Sequence, residues 1–198
     1  MSTAGLILAA GRSSRMGSDK ALLDFRGRPF LSHLAHLLLP RVDSLVVVLG
    51  HREQRIREAL PASSRIRVAV NRDYDRGMLT SLQCGLAQVG QQVDAVLWML
   101  VDHPAVRGRT LDRLLAAAAD SRASLVIPRH RGERGHPVVL SKRVIGDLLA
   151  LDPSRSPQDV VRGYYGEAYF FDTDDKGVVL DIDRPEDYRG LVAPAQTQ

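Results

Sequence analysis

Three cations and two glycines lie close together in a segment suited to holding phosphate. The segment at 8–20 reads Leu8-Ala9-Ala10-Gly11-Arg12-Ser13-Ser14-Arg15-Met16-Gly17-Ser18-Asp19-Lys20. Small residues let backbone N–H groups approach anionic oxygens, and Arg12, Arg15 and Lys20 can neutralise the charge. The alternative is that the glycines only permit tight turns while the cations are solvated. Because the whole string directly follows an apolar run, we favour a loop that holds a triphosphate.

Two common phosphate loops do not match this segment. The Walker A pattern is G-x-x-x-x-G-K-[ST], whereas Lys20 lies three residues after Gly17 and is followed by Ala21. The dinucleotide pattern G-x-G-x-x-G is also absent from the segment. The sequence therefore indicates a phosphate loop of another type.

Asp102 follows the most apolar run of the chain, AVLWMLV at 95–101. In an open α/β sheet, ligands bind beyond the carboxyl ends of the strands, which is where Asp102 would emerge. Phosphoryl transfer needs a hard cation that bridges phosphate oxygens, and a carboxylate is a ligand that Mg²⁺ prefers. We therefore predict that Asp102 binds Mg²⁺, with capping of the following turn as the alternative.

Two further carboxylates, Asp181 and Asp183, flank Ile182. Side chains alternate along an extended segment, so both carboxylates could point towards the same cation. Asp183 has a second interpretation, because it precedes Pro185, where a helix that needs a cap can begin. Both interpretations stay open at this point.

Short apolar runs that alternate with helical patterns would position these residues, and this alternation predicts an α/β fold with a largely parallel sheet. The predicted strands lie at 5–10, 45–49, 66–70, 95–101 and 125–127. One helical pattern begins at Phe30 and must end at Pro40, and another occupies 78–89. Thr110 is predicted to cap a further helix.

The last third of the chain has a different pattern. Further strands are predicted at 138–140, 168–171 and 178–182, and Asp174-Asp175-Lys176-Gly177 is a turn between the last two. Such a hairpin predicts an antiparallel addition to the sheet. We find no internal repeat or linker, so we expect a single domain over 1–198, with 192–198 as a flexible tail.

Composition restricts the class of protein. The chain is 44% hydrophobic and 25% charged, as in soluble globular proteins. A net charge of +4 with 5% aromatic residues does not favour nucleic-acid binding. The single cysteine, Cys84, excludes an internal disulfide and fits a reducing compartment. Because the sequence shows no cleavable leader and no run near the roughly 18 apolar residues of a membrane span, we expect a cytoplasmic protein without a membrane partner.

The segment at 8–20 resembles the L-A-A-G-x-S-x-R-M-G-x-x-K pattern of the MobA-like NTP transferase family, and in particular its molybdenum cofactor cytidylyltransferase branch. Four further segments follow in the family's order: GMLTSL at 77–82, VDHP at 101–104, GHP at 135–137 and DIDRPED at 181–187. The resemblance implies a Rossmann-like three-layer sandwich of the glycosyltransferase-A type. It also implies that an acceptor attacks the α-phosphate of an NTP and that pyrophosphate is released.

The resemblance also implies roles for single residues. Arg15, Lys20 and Asp102 are the predicted catalytic residues, and Asp102 and Asp183 the predicted Mg²⁺ ligands. The residues predicted to bind the nucleotide are Leu8, Ala9, Ala10, Gly11, Arg12, Ser13, Lys20, Gly77 and Ser81. Free N–H groups in the 77–82 segment can bind the base, the alternative being an ordinary helix cap at Thr80. His136 is predicted to bind the acceptor or else to form a hydrogen bond within its own turn.

The branch of the family determines which base is expected. Ala9-Ala10-Gly11 resembles the cytidylyl branch, since guanylyl relatives tend to have A-G-G there, whereas Asp19-Lys20 resembles the guanylyl branch. The segments at 135–137 and 181–187 favour cytidylyl transfer, so we expect CTP rather than GTP. The expected acceptor is molybdopterin or molybdenum cofactor, with a molybdoenzyme as client. The alternatives are another phosphorylated acceptor and a non-catalytic cofactor carrier, and the intact Arg15, Lys20 and Asp102 disfavour the carrier.

Overall fold

The computed structural model describes residues 1–193 and contains one large sheet with helices on both faces. The strands are β1 (Thr3–Ala9), β2 (Asp24–Phe25), β3 (Arg28–Pro29), β4 (Ser44–Leu49), β5 (Ile66–Val70), β6 (Ala95–Leu100), β7 (Leu125–His130), β8 (Glu133–Arg134), β9 (Val138–Ser141) and β10 (Ala168–Asp172). The helices are α1 (Phe30–Leu38), α2 (Glu53–Arg57), α3 (Met78–Leu86), α4 (Gly108–Ser121), α5 (Lys142–Ala150), α6 (Pro157–Gly163) and α7 (Pro185–Val192). The predicted alternation of strands and helices is confirmed, and α1 ends before Pro40 as expected.

The sheet is mostly parallel, as predicted. Its strand order is β10-β7-β9-β6-β1-β4-β5, with β8 beside β7. The central strand β1 pairs in parallel with β4 and with β6, and the pairs β4–β5 and β7–β10 are parallel as well. The antiparallel addition is β9, which lies between β6 and β7. Strands β2 and β3 form a separate antiparallel hairpin.

Two apolar layers cover the two faces of the sheet. On one face, Ile7 of β1 belongs to the same buried cluster as Leu34 of α1 and Leu111 of α4. On the other face, Leu6 belongs to a cluster with Leu82 of α3 and with α5. Because β1 is buried on both faces, it is a continuous apolar run, which is the pattern of a central parallel strand. The layers are those of a three-layer sandwich.

The prediction of a hairpin around 174–177 is wrong. Lys176–Val178 forms a short 3₁₀ helix, and no strand follows it before α7. The backbone groups of this region bond to distant loops instead of a neighbouring strand: His136 N–H donates to the Val178 carbonyl at 2.8 Å, and Ile182 N–H donates to the Asp102 carbonyl at 2.9 Å. We call residues 174–183 the crossing segment, because they pass over the carboxyl end of β6 on the way to α7.

Asp175 fixes the start of the crossing segment. Its buried carboxylate accepts hydrogen bonds from the Thr110 hydroxyl at 2.6 Å, from Arg107 N–H at 2.8 Å and from Gly177 N–H at 3.0 Å. The prediction that Thr110 caps α4 is therefore wrong, because α4 begins at Gly108 and the Thr110 hydroxyl donates to Asp175. Asp175, which lies 65 residues after Thr110 in the sequence, therefore binds the first turn of this helix.

The carboxyl-terminal region differs in part from the prediction. Val192, predicted as the first residue of a tail, is the last residue of α7, and 194–198 lie outside the described residues. Within residues 1–193, no helix is both long enough and apolar enough to span a bilayer.

Gly135 allows the crossing segment to approach the loop before β9. A Cβ atom at Gly135 would overlap the carbonyl group of Val178. We expect Gly135→Ala to lower the free energy of unfolding by about 1–3 kcal/mol, the usual cost of an overpacked site. Gly146→Ala is the matched control, since Gly146 lies in α5 with open space around it and alanine favours a helix. Urea unfolding followed by circular dichroism distinguishes the variants, and equal stability of the two would contradict this account of Gly135.

Candidate functional site

A cavity of about 400 Å³ opens beyond the carboxyl ends of β1 and β6. It is lined by most of the residues predicted to be functional. These are Leu8, Ala9, Ala10, Gly11, Ser13, Arg15, Lys20, Gly77, Ser81, Asp102 and Asp183. Arg12 and His136 do not line it. Tyr74 and Asp75, which were not predicted from the sequence, also line the cavity. They follow β5, and a position after a parallel strand is the signal that could have identified them.

Ser13 organises the loop between β1 and Lys20. Its backbone is in the left-handed region, with φ of 52°, and its carbonyl accepts hydrogen bonds from Met16 N–H at 3.0 Å and Gly17 N–H at 3.2 Å. Its hydroxyl accepts a hydrogen bond from Lys20 N–H at 3.2 Å. The backbone of Lys20 is therefore tied to the turn, while its long side chain extends into the cavity.

Met16 anchors the same loop through its buried side chain. It is buried in a small cluster with Phe25, Phe30 and Ile182, separate from the two large apolar layers. The neighbours of two of these residues are charged and line the cavity: Arg15 precedes Met16, and Asp183 follows Ile182. Because Met16 and Ile182 belong to the same cluster, this cluster links the phosphate loop to the crossing segment.

Lys20 joins the two carboxylates predicted to bind metal. Its ammonium group contacts Asp102 Oδ2 at 3.3 Å and makes a closer contact with Asp183 Oδ1. The Lys20 side chain is only 10% exposed, so this charge is largely removed from water. Arg15 binds the other oxygen of Asp183 at 2.5 Å, from a side chain that is 67% exposed.

Asp183 faces the cavity and does not cap α7. The cap is formed by Asp187, whose Oδ2 accepts hydrogen bonds from the N–H groups of Asp183 at 3.1 Å and Arg184 at 2.8 Å. Burial alone would raise the pKa of Asp183, but the hydrogen bond and charge of Lys20, with the charge of Arg15, hold that pKa below its ordinary value. Asp181 is exposed and does not line the cavity, because this region is not a strand and the expected alternation does not apply.

The carboxylates fit a divalent cation of the magnesium type. Asp102 Oδ1 is buried and has no hydrogen-bond partner, and His103 Nε2 stays 3.9 Å from it. Among residues 1–193, no group of three or more His, Cys, Asp or Glu side chains is arranged around a common metal position. A site with two carboxylates suits Mg²⁺, which usually takes one or two carboxylates and completes its shell with water and substrate phosphates.

The amino end of α3 forms another wall of the cavity. The helix begins at Met78 after Gly77, whose φ is 117°, so the cap at Thr80 that we considered as an alternative does not form. The Thr80 hydroxyl instead has its single proton within hydrogen-bond distance of two carbonyl oxygens, those of Asp73 and Gly77. The Ser81 hydroxyl accepts a hydrogen bond from the Asn71 amide at 2.9 Å. These contacts hold the free N–H groups of the first helical turn beside the cavity.

Arg12 lies at the rim of the site. Its guanidinium group stands 5.6 Å from the centre of the Tyr74 ring and 3.7 Å from Asp75 Oδ2. This position joins the phosphate loop to the connection after β5. Binding of nucleotide by Arg12 stays a prediction.

His136 packs beneath the crossing segment. Its ring lies 5.1 Å from that of Trp98 and 5.3 Å from that of His103, and its Nδ1 is buried without a partner. Burial, and to a smaller degree His103, lowers the pKa of His136 to about 3. The imidazole is therefore neutral at physiological pH and offers no charge to an anionic acceptor, so acceptor binding by His136 stays a prediction.

The lowered pKa of His136 should make the fold sensitive to acid. The unfolded chain takes up a proton near pH 6.5, whereas the folded protein resists until about pH 3, so stability falls as pH decreases between these values. Between pH 7 and pH 5 we expect this group to cost roughly 2 kcal/mol, and His136→Asn to remove that loss. The free energy of unfolding at both pH values tests this, with His36→Gln, a change at an exposed histidine, as control. An unchanged difference in His136→Asn would contradict the assignment.

Comparison with known proteins is consistent with this geometry. Residues 5–168 match the family model of the MobA-like NTP transferase domain. The chain is 26% identical over 183 residues to the molybdenum cofactor cytidylyltransferase of Escherichia coli (strain K12), covering 92% of each chain. It is 33% identical over 117 residues to the molybdenum cofactor guanylyltransferase of Pseudomonas aeruginosa, covering 57% of this chain and 54% of that protein.

A solved structure shares the complete fold. Rv0371c from Mycobacterium tuberculosis H37Rv is 30% identical, with a TM-score of 0.85 over 96% of this chain and 97% of that chain. Its complex with manganese is 27% identical, with a TM-score of 0.79 over 96% of this chain and 98% of that chain. In this chain, the cavity brings together the loop and both carboxylates. Because the family model also matches residues 5–168, this chain belongs to the MobA-like NTP transferase family.

Proposed function

We propose that the protein transfers CMP from CTP to the phosphate of molybdopterin or molybdenum cofactor and releases pyrophosphate. The observation that carries this proposal is the meeting of a cationic phosphate loop with two carboxylates in one cavity, joined by Lys20. The similarity to the molybdenum cofactor cytidylyltransferase of Escherichia coli extends over 92% of both chains. It supports molybdenum cofactor as the acceptor and cytosine as the base.

The reaction needs no nucleophile from the protein. An oxygen of the acceptor phosphate attacks the α-phosphorus of CTP, a new P–O bond forms, and the bond to the β-phosphate oxygen breaks so that pyrophosphate leaves. Lys20, Arg15 and the N–H groups of the loop hold the triphosphate and neutralise the charge of the leaving group. Catalysis then consists of positioning and electrostatic stabilisation.

Asp102 and Asp183 are the residues that would hold Mg²⁺. When bound, the ion would neutralise negative charge on the triphosphate that protein cations alone leave uncompensated. The complex of the related Rv0371c with manganese supports a divalent cation here. The unpartnered Asp102 Oδ1 gives the same support from within this chain.

We base the proposed preference for CTP over GTP on Ala10, which is one of the residues that line the cavity. Ala10 is buried at 3% exposure and packs in the apolar cluster on the α3 face of the sheet. A methyl group at this position takes up space that a glycine would leave free. If this methyl group narrows the part of the cavity that receives the base, a base with one ring would fit there better than a base with two.

One experiment tests the reaction and its rivals. The protein is incubated with Mg²⁺, each of the four NTPs in turn, and molybdopterin or its metal-loaded form, and pyrophosphate is measured. Turnover with CTP alone is the expected result. Turnover with GTP instead would indicate the guanylyl reaction, which the similarity to the Pseudomonas aeruginosa enzyme keeps as the second candidate. Tight binding of NTP without turnover would favour the cofactor carrier.

Asp102→Asn tests the carboxylate directly. We expect this change to lower kcat by at least about 100-fold, because a metal contact in phosphoryl transfer contributes several kcal/mol. Asp120→Asn is the control, since Asp120 lies in α4 away from the cavity and is exposed. Near-normal Mg²⁺-dependent release of pyrophosphate by Asp102→Asn would show that the assignment is wrong.

Ala10→Gly tests the choice of base. We expect the ratio of kcat/KM for CTP to that for GTP to fall by about 10-fold, because a missing methyl group in a pocket changes discrimination by this order. Ala9→Gly adds the same backbone freedom, but Ala9 packs on the opposite face of the sheet. It should therefore affect the two substrates alike. An equal shift of the ratio in both variants would exclude a specific role for Ala10.

A further inference from the structure

The ammonium group of Lys20 occupies the space between the two carboxylates that are proposed as metal ligands. It contacts Asp102 Oδ2 at 3.3 Å and, more closely, Asp183 Oδ1. Lys20 and Arg15 engage three of the four oxygens of this pair, and the fourth, Asp102 Oδ1, is buried without a hydrogen-bond partner. A divalent cation shared by both carboxylates would have to replace Lys20 at the oxygens that it now engages.

It is energetically unfavourable for two cations to occupy this position together. Repulsion between a divalent ion and an ammonium group at contact distance is strong where water is largely excluded, and Lys20 is only 10% exposed. Lysine is a compact charge on a flexible stem, so its ammonium group can move while its backbone stays fixed. The hydrogen bond from Lys20 N–H to Ser13 Oγ fixes that backbone within the phosphate loop, in the cavity that the triphosphate would fill.

We infer that Lys20 keeps the metal site closed in the free protein and that the arriving triphosphate opens it by drawing the ammonium group away from Asp102 and Asp183. The identity of the triphosphate rests on the proposed function. Metal and nucleotide then assist each other's binding, because the nucleotide offers Lys20 a new anionic partner and the cation replaces the charge that Lys20 withdraws. Such coupling between two ligands is reciprocal and typically amounts to about 5–150-fold in affinity.

The inference predicts an unusual effect of a mutation: loss of a proposed catalytic residue should improve metal binding. Mn²⁺ is the probe, and its affinity without nucleotide is measured by electron paramagnetic resonance of the free ion. We expect Lys20→Gln to bind Mn²⁺ at least about 10-fold more tightly than the wild-type protein. Lys20→Arg, which keeps the charge, should bind Mn²⁺ as weakly as the wild type.

A matched control separates a local effect from a general change of charge. Arg52→Gln also removes one positive charge near the loop, but Arg52 pairs with Asp19 at 3.3 Å and contacts neither Asp102 nor Asp183. We expect Arg52→Gln to change the Mn²⁺ affinity by less than about 3-fold. If Lys20→Gln binds Mn²⁺ no more tightly than the wild type, or if Arg52→Gln tightens binding as much, the inference is overturned.

Thermal unfolding provides a second measurement that also covers a poorly folded variant. Lys20→Gln removes the ammonium group that Asp102 and Asp183 share and leaves only Arg15 beside Asp183, so Mn²⁺ should raise the Tm of this variant more than that of the wild type. A variant that folds only with Mn²⁺ would support the inference, and one that Mn²⁺ does not stabilise beyond the wild type would count against it.

Adding a non-hydrolysable α,β-methylene analogue of CTP completes the test. We expect the analogue to tighten Mn²⁺ binding by the wild type, and to do so less in Lys20→Gln, where no ammonium group has to be moved. These measurements do not depend on turnover. A protein that fails to transfer CMP but shows tighter Mn²⁺ binding in Lys20→Gln would overturn the proposed function alone, whereas normal transfer without that tightening would overturn this inference alone.

Discussion

Lys20 carries a charge that is largely removed from water, and such a charge is stable in a protein only beside partners of opposite sign. Asp102 supplies one partner from the end of β6, and Asp183 supplies the other from the crossing segment. These three residues come from three distant parts of the chain. Every contact that orders the phosphate loop or the crossing segment therefore acts on this ion cluster, and the cluster in turn sets the arrangement of charge in the proposed triphosphate site.

Two kinds of support keep the cluster in place. The first is apolar, because Met16 and Ile182, the sequence neighbours of Arg15 and Asp183, share one small buried cluster. The second is polar, because Asp175 accepts three hydrogen bonds and so fixes the beginning of the crossing segment. Met16, Ile182 and Asp175 do not line the cavity. Both supports act by fixing the backbone from which the reactive side chains extend.

The sequence predicted the phosphate loop and Asp102 because both depend on local rules: an apolar strand, a turn of small residues, and the carboxyl edge of a parallel sheet. It did not predict the path of the crossing segment. That segment has a turn pattern followed by a short apolar run, but its hydrogen bonds go to Thr110, His136 and Asp102, which only the folded chain brings near. Tyr74 and Asp75 were missed for a similar reason, since their place beside the loop depends on how β5 pairs with β4.

The crossing segment makes the site depend on a part of the chain that the sheet does not need. Within residues 1–193, all strands of the sheet lie before residue 173, whereas Asp183 follows them and forms an ion pair with Lys20. A chain shortened before residue 183 would keep every one of these strands but lose one of the two carboxylates that Lys20 contacts. An intact sheet is therefore not sufficient for an intact site.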